Sequence, residues 1–159
     1  MKKLHAINKQ FLDAAKNNKI DKLKNLLSQG ANIHADDDWA LKVSAWGGHL
    51  EVVKFLVTQG ANIRAGDDEP LRYSARFGHL EIVKFLIAHG ANIHARCDEA
   101  LKNAASGNNN DVWRVLSAFI QEEKLLVAAS DYMLQEIYSV ESAPKTKRPL
   151  ITKAKRLKI

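Results

Sequence analysis

Apolar residues recur along the first 120 positions in short runs with helical spacing. The run from 50 to 57 has apolar side chains at positions 50, 53, 56 and 57, and the run from 80 to 87 repeats this order. Spacings of three and four place such side chains on one face of a helix. Glycines and polar residues separate the runs. The pattern therefore predicts short amphipathic helices that are connected by tight turns.

The same sequence returns every 30 residues. Gly-Ala-Asn-Ile begins at Gly30, Gly60 and Gly90, and Gly-His-Leu-Glu begins at Gly48 and Gly78. Such periodicity is typical of stacked repeat proteins, in which each unit buries its apolar face against its neighbours. The sequence thus predicts an all-α solenoid of about four helix-turn-helix repeats, at 1–30, 31–60, 61–90 and 91–120.

Equivalent residues in the repeats predict where the two helices of each repeat begin and end. A residue whose side chain can cap the first turn precedes each first helix, and these residues are Asn8, Asp38, Asp68 and Asp98. Residues that tolerate left-handed backbone end the first helices, at Asn18, Gly48, Gly78 and Asn108. Gly30, Gly60 and Gly90 end the second helices of the first three repeats.

The fourth repeat lacks the glycine that ends its second helix. Ile120 occupies the equivalent position, so we expect the helix that begins near Asp111 to continue past Ile120, as far as Lys124. Apolar residues at 125–140 then predict a degenerate capping unit, since terminal repeats are often atypical. The predicted organisation is four repeats over 1–120, a helical C-terminal cap at 121–143 and a basic tail at 144–159.

The second helices and turns resemble the ankyrin repeat. The resemblance rests on Gly48–Leu56, on Gly78–Leu86 and on the Gly-Ala-Asn-Ile turns, and it covers roughly Ile7–Ile120. It implies a non-enzymatic module that binds a protein or peptide on the concave face of the first helices. Arrays of this short period are similar to those of large DNA viruses and intracellular bacteria.

The period is shorter than the ankyrin norm of about 33 residues. The shortening falls in the finger that joins one repeat to the next, as in Ala31–Ala40. A shorter finger cannot form a full projecting hairpin. We therefore expect no β-hairpin between repeats, and we expect ligand contacts to shift toward the first helices.

One stripe of the first helices changes from repeat to repeat, although 18 of 30 positions are identical between 31–60 and 61–90. Aromatic and arginine side chains dominate interface hot spots. The stripe and its neighbours predict a partner-binding site of Trp39, Trp46, Glu69, Tyr73, Arg76, Phe77 and Arg96. Its mixed charge favours a protein or peptide over nucleic acid. We expect the large side chains to form one exposed surface, while packing remains an equal interpretation of Val43 and Tyr73.

The net charge of +6 is concentrated at the C-terminus. Segment 144–159 has no acid and seven basic residues, which are Lys145, Lys147, Arg148, Lys153, Lys155, Arg156 and Lys158. The remaining 17 basic and 18 acidic residues give 1–143 a formal charge of −1. The tail is a localisation signal, an arm that binds nucleic acid or acidic lipid, or a solvated terminus. The alternative function is therefore a nucleic-acid-associated protein that is anchored by its tail.

No sequence motif indicates catalysis or a cofactor. The lone Cys97 excludes an intramolecular disulfide and favours a reducing compartment, the cytoplasm or nucleus, of a host cell if the source is viral or bacterial. His49 and His79 lack metal-ligand spacing, and the ankyrin resemblance implies a structural role for them. No stretch is apolar enough to span a membrane. We expect a monomer or weak oligomer without metal.

Overall fold

The computed structural model describes the backbone of residues 2–142 and the side chains of residues 3–131. The described backbone consists of helices with short turns and linking residues between them, and it contains no strand. The helices are α1 (Lys2–Lys16), α2 (Ile20–Ser28), α3 (Ala35–Trp46), α4 (Leu50–Thr58), α5 (Ala65–Arg76), α6 (Leu80–Ala88), α7 (Ala95–Ser106) and α8 (Asn110–Ser142). The fold is the all-α solenoid that the 30-residue period predicts.

The first helices of the repeats, α1, α3, α5 and α7, pack on one another in series. Their contacts are more extensive than those among the second helices α2, α4 and α6. Small side chains allow this close approach, because the distance between packed helices depends on the side chains at the contact. The pairs Ala14–Ala15, Ser44–Ala45 and Ser74–Ala75 are fully buried.

Left-handed residues follow the helices where the sequence predicts them. The backbone angle φ is positive at the four residues that end the first helices, with +55° at Asn18 and +73° at Gly48. At Gly30, Gly60 and Gly90 φ lies between +92° and +96°, which residues with a Cβ rarely adopt. These positions fix the chain reversals that set the length of each repeat.

Each finger contains three consecutive left-handed residues, at 36–38, 66–68 and 96–98, with φ between +52° and +61°. The regular right-handed part of α3 therefore begins at Trp39. No β-hairpin occurs in the described fingers, which agrees with the expectation for their reduced length. Left-handed backbone costs roughly 1–2 kcal/mol per residue, although Asp and Asn tolerate it better than most residues do.

Cys97 is an exposed residue in such a segment, where the other repeats have Asp37 and Asp67. We expect Cys97→Asn to raise the free energy of unfolding by up to about 1 kcal/mol, because asparagine adopts left-handed backbone more readily. Urea unfolding measures this change. Cys97→Ser is the control, since serine lacks the same preference, and equal stability of the two variants would contradict the conformational explanation.

The predicted capping role of one polar residue per repeat is wrong, and the residues concerned are Asn8, Asp38, Asp68 and Asp98. Asn8 lies inside α1, which begins at Lys2. Asp38 and Asp68 direct their carboxylates to the next repeat: Oδ1 accepts the backbone N–H of Asn62 at 2.9 Å and of Asn92 at 2.6 Å. Asn8 accepts the N–H of Asn32 in the same way. These side chains join neighbouring repeats because the stacking brings the next finger within hydrogen-bond distance.

α8 continues without interruption from Asn110 to Ser142. It passes Ile120, as the missing glycine predicts, and Ile120 is buried in the core of the repeats. The helix also passes Lys124, where we expected an end and a separate capping unit. The repeats, Met1–Ile120, form one compact unit. The cap at 121–143 stays a prediction, and the tail at 144–159 lies outside the described residues.

Candidate partner-binding site

The last residues of the first helices form a row across the repeats, which we call the end row: Lys16, Trp46, Arg76 and Ser106. The second helix of the following repeat fixes the backbone of this row. His49 Nε2 donates to the carbonyl of Lys16, and His79 Nε2 donates to that of Trp46, both at 2.9 Å. In the fourth repeat Asn109 Nδ2 donates to the carbonyl of Arg76 at 2.8 Å.

These bonds confirm a structural role for His49 and His79. Each imidazole ties its own repeat to the preceding one, and Asn109 takes the same part where the fourth repeat lacks histidine. Within the side chains that the structure describes, no group of His, Cys, Asp or Glu is arranged to hold a metal ion. The hydrogen bonds therefore fix the backbone of three residues of the end row, from which the side chains project.

Three rings from two repeats meet at the end row and form what we call the aromatic cluster: Trp46, Tyr73 and Phe77. The ring centroid of Trp46 lies 6.3 Å from that of Tyr73 and 6.0 Å from that of Phe77, within the usual range for interacting aromatic pairs. Trp46 is 48% exposed and Phe77 is 47% exposed. The Arg76 guanidinium lies 5.9 Å from the Phe77 ring centroid. The cluster is thus an apolar surface that remains open to solvent.

Trp39 and Arg96 lie apart from the aromatic cluster. Trp39 is exposed at the finger end of α3, seven residues and about 10 Å along the helix from Trp46. No ring contact in the described chain joins Trp39 to the cluster. Arg96 Nε lies 3.5 Å from Asp67 Oδ2, in the finger. Val43 is 5% exposed, so at this position the packing interpretation holds.

Glu69 is engaged in a partly buried network beside the cluster. Its Oε1 accepts the hydroxyl of Tyr73 at 2.8 Å, and its Oε2 lies 3.2 Å from Lys42 Nζ. The Lys42 ammonium is nearly buried and also donates to Asp37. Glu69 therefore fixes the orientation of the Tyr73 ring.

The charges in this network stabilise each other. Burial alone would raise the pKa of Glu69, but hydrogen bonds from Tyr73 and Lys42 and the positive charges of Lys42 and Arg72 outweigh it and lower this pKa. Burial alone would lower the pKa of Lys42, and the bonds to Asp37 and Glu69 raise it instead. The bond to Glu69 raises the pKa of the Tyr73 hydroxyl. At neutral pH the pair is ionised and Tyr73 keeps its proton.

Because the folded pKa of Glu69 lies below its ordinary 4.5, the network contributes stability above that pH and loses it as pH falls through the folded pKa. As pH falls, Glu69 takes up its proton at a higher pH in the unfolded chain than in the folded one, and this uptake favours the unfolded chain. We expect the melting temperature of the wild type to fall more than that of Glu69→Gln when pH decreases from neutral to below 4.5. Circular dichroism at several pH values measures this, and parallel curves for the two proteins would contradict it.

Sequence analysis missed a second kind of connection between repeats. Lys42 pairs with Glu69, and Arg72 Nη1 lies 2.9 Å from Glu99 Oε2, so in both cases a base meets an acid 27 residues later. Arg72 also donates to the carbonyls of Gly66 and Asp67. The regular separation between bases and acids was visible in the sequence, but it indicated pairing only once the stacking of the repeats was known.

The family model described as "Ankyrin repeats (3 copies)" matches residues 11–97, which is more than half of the chain. The chain belongs to the ankyrin-repeat family. Ankyrin repeats are generally protein–protein interaction modules and are typically non-enzymatic. In this ankyrin-repeat protein the match begins in α1 and ends in the finger of the fourth repeat. The comparison with curated proteins gives no match.

Among the described residues of this ankyrin-repeat protein, no helix combines the length and the apolar character that crossing a membrane requires.

Proposed function

We propose that the repeats bind a protein or peptide on the face formed by the first helices, with the aromatic cluster as the anchor. The observation that supports this most strongly is the contact between Trp46 and Phe77, two large rings from adjacent repeats that both remain about half exposed. Contiguous exposed apolar surfaces on soluble proteins commonly mark interaction sites. Trp, Tyr and Arg are also the side chains that contribute most to binding energy at interfaces.

The proposed site is preorganised. The backbone carbonyl of Trp46 accepts a hydrogen bond from His79, and that of Arg76 accepts one from Asn109. The Tyr73 hydroxyl donates a hydrogen bond to Glu69. A partner would therefore not have to order the backbone beneath the anchor when it binds, and preorganisation of this kind raises affinity. Glu69 supports the site from its buried side, while Trp39 and Arg96 lie at the finger end and would meet only a longer ligand.

A second candidate function rests on the basic tail, whose seven cations suit nucleic acid, an acidic lipid surface or a localisation receptor. It would place the chain in the cytoplasm or nucleus, the compartments that the lone Cys97 also favours. Salt separates the two functions. Binding through several phosphate contacts loses a factor of about 10³–10⁵ in affinity between roughly 50 and 200 mM salt.

The experiment is capture of partners from a cell extract by the tagged 159-residue chain at rising salt. A matched variant carries glutamine at all seven basic positions of the tail. We expect a protein bound at the aromatic cluster to remain captured by both chains at about 200 mM salt, because aromatic burial does not depend on counterion release. Loss of every captured protein on neutralising the tail would contradict binding by the repeats and would support the tail instead.

A further inference from the structure

The end row places an exposed cation on each side of Trp46. Lys16 ends α1, Trp46 ends α3 and Arg76 ends α5, and Lys16 and Arg76 are both exposed. Equivalent hydrogen bonds to the three backbone carbonyls show that these residues occupy the same place in three successive repeats. The order across the face is therefore cation, aromatic ring, cation.

These two cations differ from the other basic residues around the site. Lys42 and Arg72 are each paired with a glutamate, and Arg96 is paired with Asp67. Within the part of the chain that the structure describes, neither Lys16 nor Arg76 has a carboxylate at ion-pair distance. Arg76 instead lies over the Phe77 ring. Two positive charges beside the anchor are thus available to a ligand.

The distance between the charges and the anchor sets the spacing in a matching ligand. Packed helices lie about 8–10 Å apart, so Lys16 and Arg76 each project about that far from Trp46. A peptide in the extended polyproline II conformation advances about 3.1 Å per residue and has about three residues per turn, so residues three apart point to the same side. A peptide that crosses the first helices with one side chain on the aromatic cluster therefore brings its third residue on either side beside a cation.

We propose that the ligand is a peptide segment in the polyproline II conformation with an apolar or aromatic anchor and an aspartate or glutamate three residues before it, three residues after it, or both. This inference rests on the proposed function, and it specifies the chemistry of the partner. A carboxylate opposite Arg76 can accept two parallel hydrogen bonds from the guanidinium. A nucleic-acid site would be basic along its length, whereas here an aromatic ring separates two single cations, so isolated carboxylates fit better than a continuous polyanion.

The test is selection of random 12-residue peptides displayed on phage against the whole 159-residue chain. Some selected peptides should bind the wild type and fail to bind Trp46→Ala. We expect these peptides to share an apolar residue, with Asp or Glu three positions away on one or both sides. The charge-reversed variant Lys16→Glu/Arg76→Glu should bind them about 3- to 10-fold more weakly and should select Lys or Arg at those positions instead. A reversal at exposed Lys102, on α7, is the control and should leave the selected charges unchanged.

Trp46-dependent peptides without flanking acids would overturn this inference and leave the proposed function standing. The absence of any Trp46-dependent peptide would overturn it as well, and the capture experiment then decides the proposed function independently. A dimer in light scattering that dissociates on Trp46→Ala would assign the cluster to a second copy of this chain. The gain of basic peptides by the charge-reversed variant cannot arise from a misfolded protein.

Discussion

Replacing both Trp46 and Phe77 with alanine is expected to weaken binding of the captured partner by at least about 30-fold. Central aromatic residues of an interface commonly contribute 2 kcal/mol or more each, and about 1.4 kcal/mol corresponds to a factor of ten in the dissociation constant. The fold should survive, because roughly half of each ring is exposed and alanine favours the helix that Trp46 ends. Phe77 follows α5 with an ordinary negative φ, which alanine also adopts. Isothermal titration measures the affinity, and circular dichroism measures the folded fraction.

Trp113→Ala is the matched control for this variant. Trp113 is 45% exposed, close to the exposure of Trp46, but it lies on α8 and outside the aromatic cluster. It should lower stability by a comparable amount and leave the affinity unchanged. Equal loss of affinity in the control and the double variant would show that binding follows stability, and it would remove the assignment of the site.

Asp68→Ala is expected to lower the free energy of unfolding by about 1–3 kcal/mol more than Asp98→Ala does. Both residues have left-handed backbone at equivalent positions, so the backbone cost of alanine is the same for each. Asp68 is 2% exposed and bonds to the N–H of Asn92, whereas the Asp98 side chain is 41% exposed and bonds within its own finger to His94. Alanine at 68 leaves a part-buried amide without its acceptor.

Urea unfolding of the two single variants measures this difference. If the aspartates acted only as helix caps within their own repeats, the two substitutions would cost the same. Asp68→Asn is the supporting variant, because Asn8 makes the equivalent bond in the first repeat with an amide oxygen. It should retain most of the wild-type stability. A loss equal to that of Asp68→Ala would point to the charge and would contradict the role of the hydrogen bond.

The architecture of the repeats could be predicted from the sequence because local residue types determine it. Helical spacing of apolar residues marks each helix, and Gly48, Gly60 and Gly78 occupy positions where the chain needs left-handed backbone. The absence of glycine at Ile120 likewise predicts that α8 continues there. These are signals within a few residues of the feature that they specify.

Connections between repeats were missed because they join residues that are distant in sequence. The bond from Asp38 to Asn62 spans 24 residues, and the pair of Lys42 with Glu69 spans 27. A carboxylate ahead of a helix is also a common cap, so the local interpretation was the natural one. Only the stacked repeats show that the nearest free amide belongs to the next finger.

The partner-binding site stays a prediction, and the structure brings only some of its residues together. Variation between repeats singled out Trp46, Arg76 and Phe77, which the structure brings together. The same criterion selected Glu69, although its partly buried carboxylate is already paired with Lys42 and hydrogen-bonded to Tyr73. Variation marks any position that differs, and it does not separate a side chain offered to a partner from one that completes a network.

Photo-crosslinking tests the central claim most directly, because it reports which side chain touches the partner while an aromatic ring remains at the anchor. We would introduce p-benzoylphenylalanine at position 77, in the aromatic cluster, and separately at position 113, on α8, where the exposure of the native residue is similar. The account predicts that the captured partner crosslinks from position 77 and not from position 113. Crosslinking from position 113 alone would contradict binding at the first helices.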